Sequence, residues 1–357
     1  MNQERTNRRA SALRLRSEPG FTLIELMVSL AIFSIVSLAA FSVLSSSQQT
    51  AVMNDQTVQV QRNVRLAVDL ISRDLRMAGY GNPLVGTLAG CANSVNPTNS
   101  AAGSDLISVM TIDQSIGTLA GPFTGGNVIT VAGLAADAAI NDVVTLEGIF
   151  TAVVTAIPGA GQLTLGGLPI QSPQTIPAGT QVLRLACVTY WVSGTAANPP
   201  FQLLRAIGAA AAVPIVDGIE SLQLAYGIDT AQAGKLDDQN GTGTVDCGDF
   251  LPNNMASVLT NSSCNVPGGA VTTIPPTVNP AAAAGSASST SARQVRITVV
   301  GRAIPPAAAN TPNNTWSDST FKSSSAVAAE DVSIASMPGI RRRVLSRIVS
   351  LRNASNL

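Results

Sequence analysis

Residues 26–44 read LMVSLAIFSIVSLAAFSVL, a run of 19 with no charge and no proline. As a helix this run is about 28 Å long, close to the roughly 30 Å hydrocarbon core of a bilayer. Five arginines (Arg5, Arg8, Arg9, Arg14, Arg16) stand before it, against Glu4 and Glu18. The positive-inside rule keeps residues 1–20 on the cytoplasmic side and sends everything after Ser45 across the membrane. The only charge between positions 21 and 44 is Glu25.

Three fates are open to such a segment. It is a secretory signal cut after Ala39, where Ser37-Leu38-Ala39 has a small-x-small pattern. It is a plain signal anchor. Or it is a helix that is kept and trimmed just before its start. Glu25 discriminates between them. An unpaired carboxylate deep in an apolar span costs about 2–3 kcal/mol, for which a discarded signal has no use. A helix that assembles with others offsets that cost with a neighbouring cation.

Composition narrows the chemistry. The chain has no histidine, so a Ser-His-Asp triad, a Cys-His pair and imidazole metal ligation are excluded. No GxSxG, GxxxxGK[ST] or GxGxxG occurs, and Gly234-Lys235 lacks the rest of a phosphate-binding loop. Charged residues are 12% of the total and the formal net charge is zero, so no global basic field favours nucleic acid. An enzyme is not expected.

Gly20-Phe21-Thr22-Leu23-Ile24-Glu25, with the basic stretch before it, resembles the class III signal of type IV prepilins and pseudopilins. The resemblance implies a leader at 1–20, cleavage between Gly20 and Phe21 by a prepilin peptidase, and methylation of the Phe21 amine. It also implies that Glu25 pairs with the N-terminal amine of a neighbouring subunit during assembly. Residues 45–78 contain no Gly or Pro and carry apolar residues at three- and four-residue spacing, with Val64, Val68, Ile71 and Leu75 on one face. The spacing predicts one helix over 21–78, with 21–44 in the membrane, ended by Gly79-Tyr80-Gly81-Asn82-Pro83. The run RLAVDLISRDLRMAGYGNP at 65–83 is similar to the end of the long helix in PilW-like minor pilins, and a similar segment occurs in J-type pseudopilins of type II secretion. For Arg73, Asp74 and Arg76 we expect an ordinary solvated helix face.

The rest reads as β. Short apolar segments at Leu106–Ile112, Val128–Val131, Val143–Leu146, Val153–Ile157 and Leu163–Leu165 are separated by Gly, Pro and Asn, which predicts a meander or small barrel-like insert. Longer strands are expected at Gln181–Val192, Phe201–Ala206, Glu220–Ile228, Gln294–Val300 and Ile340–Leu351. In Glu220–Ile228 and Gln294–Val300, alternation predicts one apolar and one polar face. The expected fold is therefore α+β: a long N-terminal helix on a β-rich pilin head, with the β-rich insert and first part of the head at 79–180, the remaining head at 181–357, and a low-complexity mobile loop at 265–292.

The four cysteines are Cys91, Cys187, Cys247 and Cys264. Their even number beyond a membrane span points to disulfides. Three pairings are open, and Cys91–Cys187 with Cys247–Cys264 is preferred because the second closes a short Gly/Asn-rich loop. The loop at 237–246 presents Asp237, Asp238, Asn240 and Asp246 as weak calcium ligands, but its spacing fails the EF-hand pattern and a solvated turn is the expected reading. No other cofactor or metal is expected. Arg341-Arg342-Arg343 reads as a solvent-facing strand end, with an acidic partner as the alternative.

Through the resemblance, the sequence implies a single-pass protein of a bacterial inner membrane. Its head would lie in the periplasm and later at the pilus tip. The implied partners are other minor pilins, the major pilin, prepilin peptidase and the inner-membrane assembly platform. The implied role is priming of pilus assembly. A J-type pseudopilin and an anchored adhesin are the alternatives.

Overall fold

The structure is a computed structural model, and it describes residues 20–80, 88, 91, 94–98, 100, 103–166, 175–194, 201–229, 235–238, 249–252, 292–303, 327–329, 332–334 and 342–351. The expected mobile loop lies outside these residues up to position 291. The chain divides into two units, Met1–Asp55 and Gln56–Leu357. Helix α1, Leu23–Met77, contributes residues to both.

Among the described side chains of the first unit, α1 buries none. Large apolar side chains stand open along it, from Phe21 at 82% exposure to Leu44 at 54%. The Ser29, Ser34 and Thr50 hydroxyls donate to the carbonyls of Leu26, Leu30 and Ser46. They are satisfied within the helix, as an apolar surrounding requires.

In the second unit the same helix has a sharply two-sided character. Val60, Val64, Ala67, Val68, Ile71 and Leu75 are buried, each of the larger ones contributing about 1.5–3 kcal/mol. The helix ends where Gly79 takes a φ of 77°, a left-handed closure that glycine adopts without a Cβ clash.

Strands β1 (Val95–Thr98), β2 (Leu106–Leu119), β3 (Val128–Ala132), β4 (Val143–Leu146), β5 (Phe150–Gly159), β6 (Gln162–Gly166), β7 (Gln181–Ser193), β8 (Gln202–Ile207) and β9 (Val213–Asp217) form one antiparallel sheet, in the order β1-β2-β3-β6-β5-β4-β7-β8-β9. A further pairing of β2 with β7 runs from Ile107↔Tyr190 to Thr118↔Gln181. That pairing closes β2-β3-β6-β5-β4-β7 into a six-stranded barrel. Closure removes the sheet edges, and Ile116, Leu119, Ile129, Val131, Leu146, Val154 and Leu163 fill the interior.

The second sheet is four-stranded. It contains β10 (Ile219–Ile228), β11 (Phe250–Pro252), β12 (Ala292–Arg302) and β15 (Arg342–Ser350), in the order β11-β10-β12-β15. A short ladder joins β13 (Val327–Ala329) to β14 (Val332–Ile334). The helix packs on this sheet and on one end of the first, in a core shared by Val64, Val68, Ile71, Ile107, Tyr190, Leu222, Ile297 and Val349. β2 and β7 thus serve two cores, with the barrel interior at one end of each strand and the helix at the other.

Two expectations about faces need correction. Leu222, Leu224, Tyr226, Val295, Ile297 and Val299 are buried as alternation predicts, but so are Ser221, Gln223, Ala225, Arg296, Thr298 and Val300. The sheet has no wet face along these strands. Gln223 offsets its burial by donating to the Gly103 carbonyl and the Ser221 hydroxyl. Asp105 accepts from the Leu224 amide, and its own amide donates to the Leu222 carbonyl.

Candidate assembly surface along the N-terminal helix

Thr22 caps α1. Its Oγ1 accepts from the Glu25 amide at 3.3 Å and its carbonyl accepts from the Leu26 amide. Thr22-Leu23-Ile24-Glu25 therefore has the spacing of a capping box, with a carboxylate in the first turn where the helix dipole favours it. Phe21 and Glu25 are exposed. Among the described residues the Glu25 carboxylate meets no cation. Gly20 precedes the helix in irregular backbone.

At the other end of α1 a buried polar network fixes the helix to the head. Asp74 is 4% exposed. Its Oδ2 accepts from the Tyr190 hydroxyl of β7 at 2.5 Å and faces the Arg205 guanidinium of β8 at 3.5 Å. Arg205 Nε also donates to the Tyr190 oxygen at 3.1 Å. Burial first, and then the Asp74 carboxylate, push the Tyr190 phenol well above the ordinary tyrosine range. The expected solvated face fails at Asp74 and holds for Arg73 and Arg76, which are exposed. The signal was available in the sequence. Val60, Val64, Ala67, Ile71, Asp74 and Ala78 repeat at four and three residues, so Asp74 falls on the apolar stripe. Tyr190 and Arg205 carry no comparable signal, because strand pairing brings them to Asp74.

Arg342 also departs from the expected solvent-facing end. Its side chain is 1% exposed. It grips Glu220 with two donors, at 2.6 and 2.7 Å, a bidentate pair of the strong class. Burial lowers the pKa of nearby Arg302, with Glu220 opposing and Arg342 adding to the effect. Arg343 is exposed, and Arg341 lies outside the described residues.

Cys91 is bonded to Cys187, with an S–S distance of 2.08 Å and a Cα–Cα distance of 5.6 Å. The bridge packs with Met110, Val143 and Leu185 between the two larger cores. Cys247 and Cys264 lie outside the described residues, as do Asn240 and Asp246 of the calcium candidate. Asp237 and Asp238 are described, and among the described residues no group of three or more carboxylate or thiol ligands converges.

A comparison with protein families finds the prokaryotic N-terminal methylation motif at residues 15–41. A second family, described as Type IV Pilus-assembly protein W, matches residues 189–353. Over these two stretches the chain is similar to PilW-like type IV pilins. The first match covers the capped, exposed part of α1, and the second runs from within β7 through β15. Most of the barrel lies between the two matched stretches. PilW is a structural pilin family, and the methylation motif together with the apolar helix is consistent with membrane anchoring. No curated protein and no solved structure matches the chain.

Proposed function

We propose that this chain is a minor pilin that primes assembly of the type IV pilus and remains in its tip complex. In this reading prepilin peptidase cuts between Gly20 and Phe21, and the Phe21 amine is methylated. The helix holds the chain in the inner membrane with its head in the periplasm, and Glu25 receives the N-terminal amine of a neighbouring pilin. The partners are other minor pilins, the major pilin and the assembly platform.

The observation that carries the reading is the start of α1. The methylation motif there sits on a capped helix start whose apolar side chains over 21–44 are open, and among the described residues its Glu25 carboxylate meets no cation. Such a surface needs lipid around it and a cation beside Glu25. The family match over 189–353 favours the pilus over type II secretion.

The test is complementation in a strain lacking the chain. We expect few or no surface pili, restoration by the wild type, and poor restoration by Glu25→Leu although that variant is still processed. A normal number of pili without the chain overturns the proposal.

A further inference from the structure

We infer that Arg302, laid over the ring of Phe201, forms a binding site for the carboxylate of a small acidic ligand. The site lies in the second unit and is independent of the assembly reading above.

Arg302 closes β12 and stands directly opposite Arg342 of β15. Like charges opposite each other destabilise a sheet. Glu220 serves Arg342, which donates to both of its oxygens at 2.6 and 2.7 Å. Arg302 Nη1 comes only to 4.0 Å from one of those oxygens, beyond hydrogen-bond range. The Arg302 side chain is 15% exposed, and among the described residues its guanidinium donates to no acceptor. Other largely covered arginines are satisfied. Arg184, Arg205 and Arg293 donate to Asp113, Tyr190 and Asp229 at 2.8, 3.1 and 3.1 Å. Burial lowers the Arg302 pKa, Glu220 opposes that fall and Arg342 adds to it. The cation therefore stands where a further anion would stabilise it.

Phe201 supplies the orientation. Arg302 Cζ lies 4.4 Å from the centre of its ring. Stacking of this kind occupies the face of a guanidinium and leaves its N–H edge open. The edge is thus held in place with its donors unused.

The same geometry selects the ligand. A planar guanidinium edge meets a planar carboxylate with two parallel hydrogen bonds. Glu220, 4.0 Å from Arg302, repels a dianion such as phosphate more than a monoanion. The ligand is therefore a monovalent carboxylate, carried by a free organic acid or by an acidic sugar.

The experiment titrates the full chain in detergent, labelled with heavy-nitrogen arginine, and follows the arginine Nε–H signals. Acetate, galacturonate, galactose and phosphate are added in turn, with chloride keeping the ionic strength fixed. The signal that Arg302→Gln removes belongs to Arg302, and Arg302→Lys serves if that variant does not fold. It should move saturably with acetate and with galacturonate, at millimolar concentrations, and stay still with galactose. Phe201→Leu should weaken both acids at least about threefold, because the stack is lost. A lower midpoint for galacturonate assigns the carboxylate to an acidic sugar, and equal midpoints assign it to a free organic acid. A signal that never saturates, one that chloride alone moves equally, or one that phosphate saturates at lower concentration overturns the inference. A folded Phe201→Leu chain with wild-type midpoints overturns it too.

Discussion

The Tyr190 hydroxyl donates to the Asp74 carboxylate at 2.5 Å, joining the last turns of α1 to the strand that leads out of the barrel. Both groups are buried, and the Arg205 guanidinium completes the set. Removing one member takes one partner from each of the other two. Tyr190→Phe should destabilise the head by about 1–3 kcal/mol. Asp74→Ala should cost at least as much, because it takes the acceptor from Tyr190 and the counter-charge from Arg205. Thermal unfolding of the full chain in detergent checks both, and an unchanged midpoint for Asp74→Ala contradicts the network.

The same tyrosine sets an alkaline limit. Its pKa is raised in the folded state, so the folded state holds the proton more tightly than the unfolded one. The stabilisation is fully present below the unfolded tyrosine value of about 10 and is lost as pH rises through the folded value. Unfolding midpoints measured from pH 8 to 11 should fall at the top of that range, and Tyr190→Phe should flatten the fall.

Gly301 of β12 lies directly against the helix. A Cβ there would lie 2.3 Å from Val64 Cγ2 and 3.1 Å from Val60 Cγ1, well inside van der Waals contact. Gly301→Ala should therefore destabilise by about 1–3 kcal/mol through overpacking. Adding Val64→Ala should recover part of that loss, a coupling that a double-mutant cycle measures directly.

Much of this architecture was legible in the sequence, and the exceptions have a common cause. The extent of α1 and the strands β4 and β7 follow from local signals of period, β-branched runs and turn residues, but β7, expected in the head, closes the barrel that was expected within 79–180. Asp74, Gln223 and Arg342 were read as solvent-facing because polar residues usually are. Each is buried against a partner more than a hundred positions away, and no local pattern encodes that pairing. The short strands β1 and β9 contain Pro97 and Pro214, which disguise strands in a sequence. The motif at Gly20, Phe21 and Glu25 is linear and could be read without the fold.

The barrel should have an acid-sensitive clasp. Arg184, on β7, meets Asp113 at 2.8 Å, Asp137 at 3.1 Å and Asp142 at 3.6 Å. A hydrogen bond from Gln114 and, after it, the charge of Arg184 lower the Asp137 pKa. A lowered carboxylate contributes stability above its unfolded value of about 3.9, and that contribution is lost as pH falls through the folded value. Gln114→Leu should therefore lower the stability of the full chain slightly at pH 7 and flatten its loss on acidification, so that variant and wild type converge at low pH.

The disulfide closes a sequence separation of 96. In the chain-entropy model a loop of that size is worth about 4–5 kcal/mol. Cys187→Ser and reduction of the wild type should lower the unfolding midpoint together, and reduction should leave the Cys187→Ser head unaffected in this transition.

The central claim is that the chain is a processed pilin, and the mass and N-terminal sequence of the protein recovered from its own membrane test it most directly. A chain that begins with methylated Phe21 is the result predicted. A chain that begins near residue 40, or at an intact Met1, contradicts it.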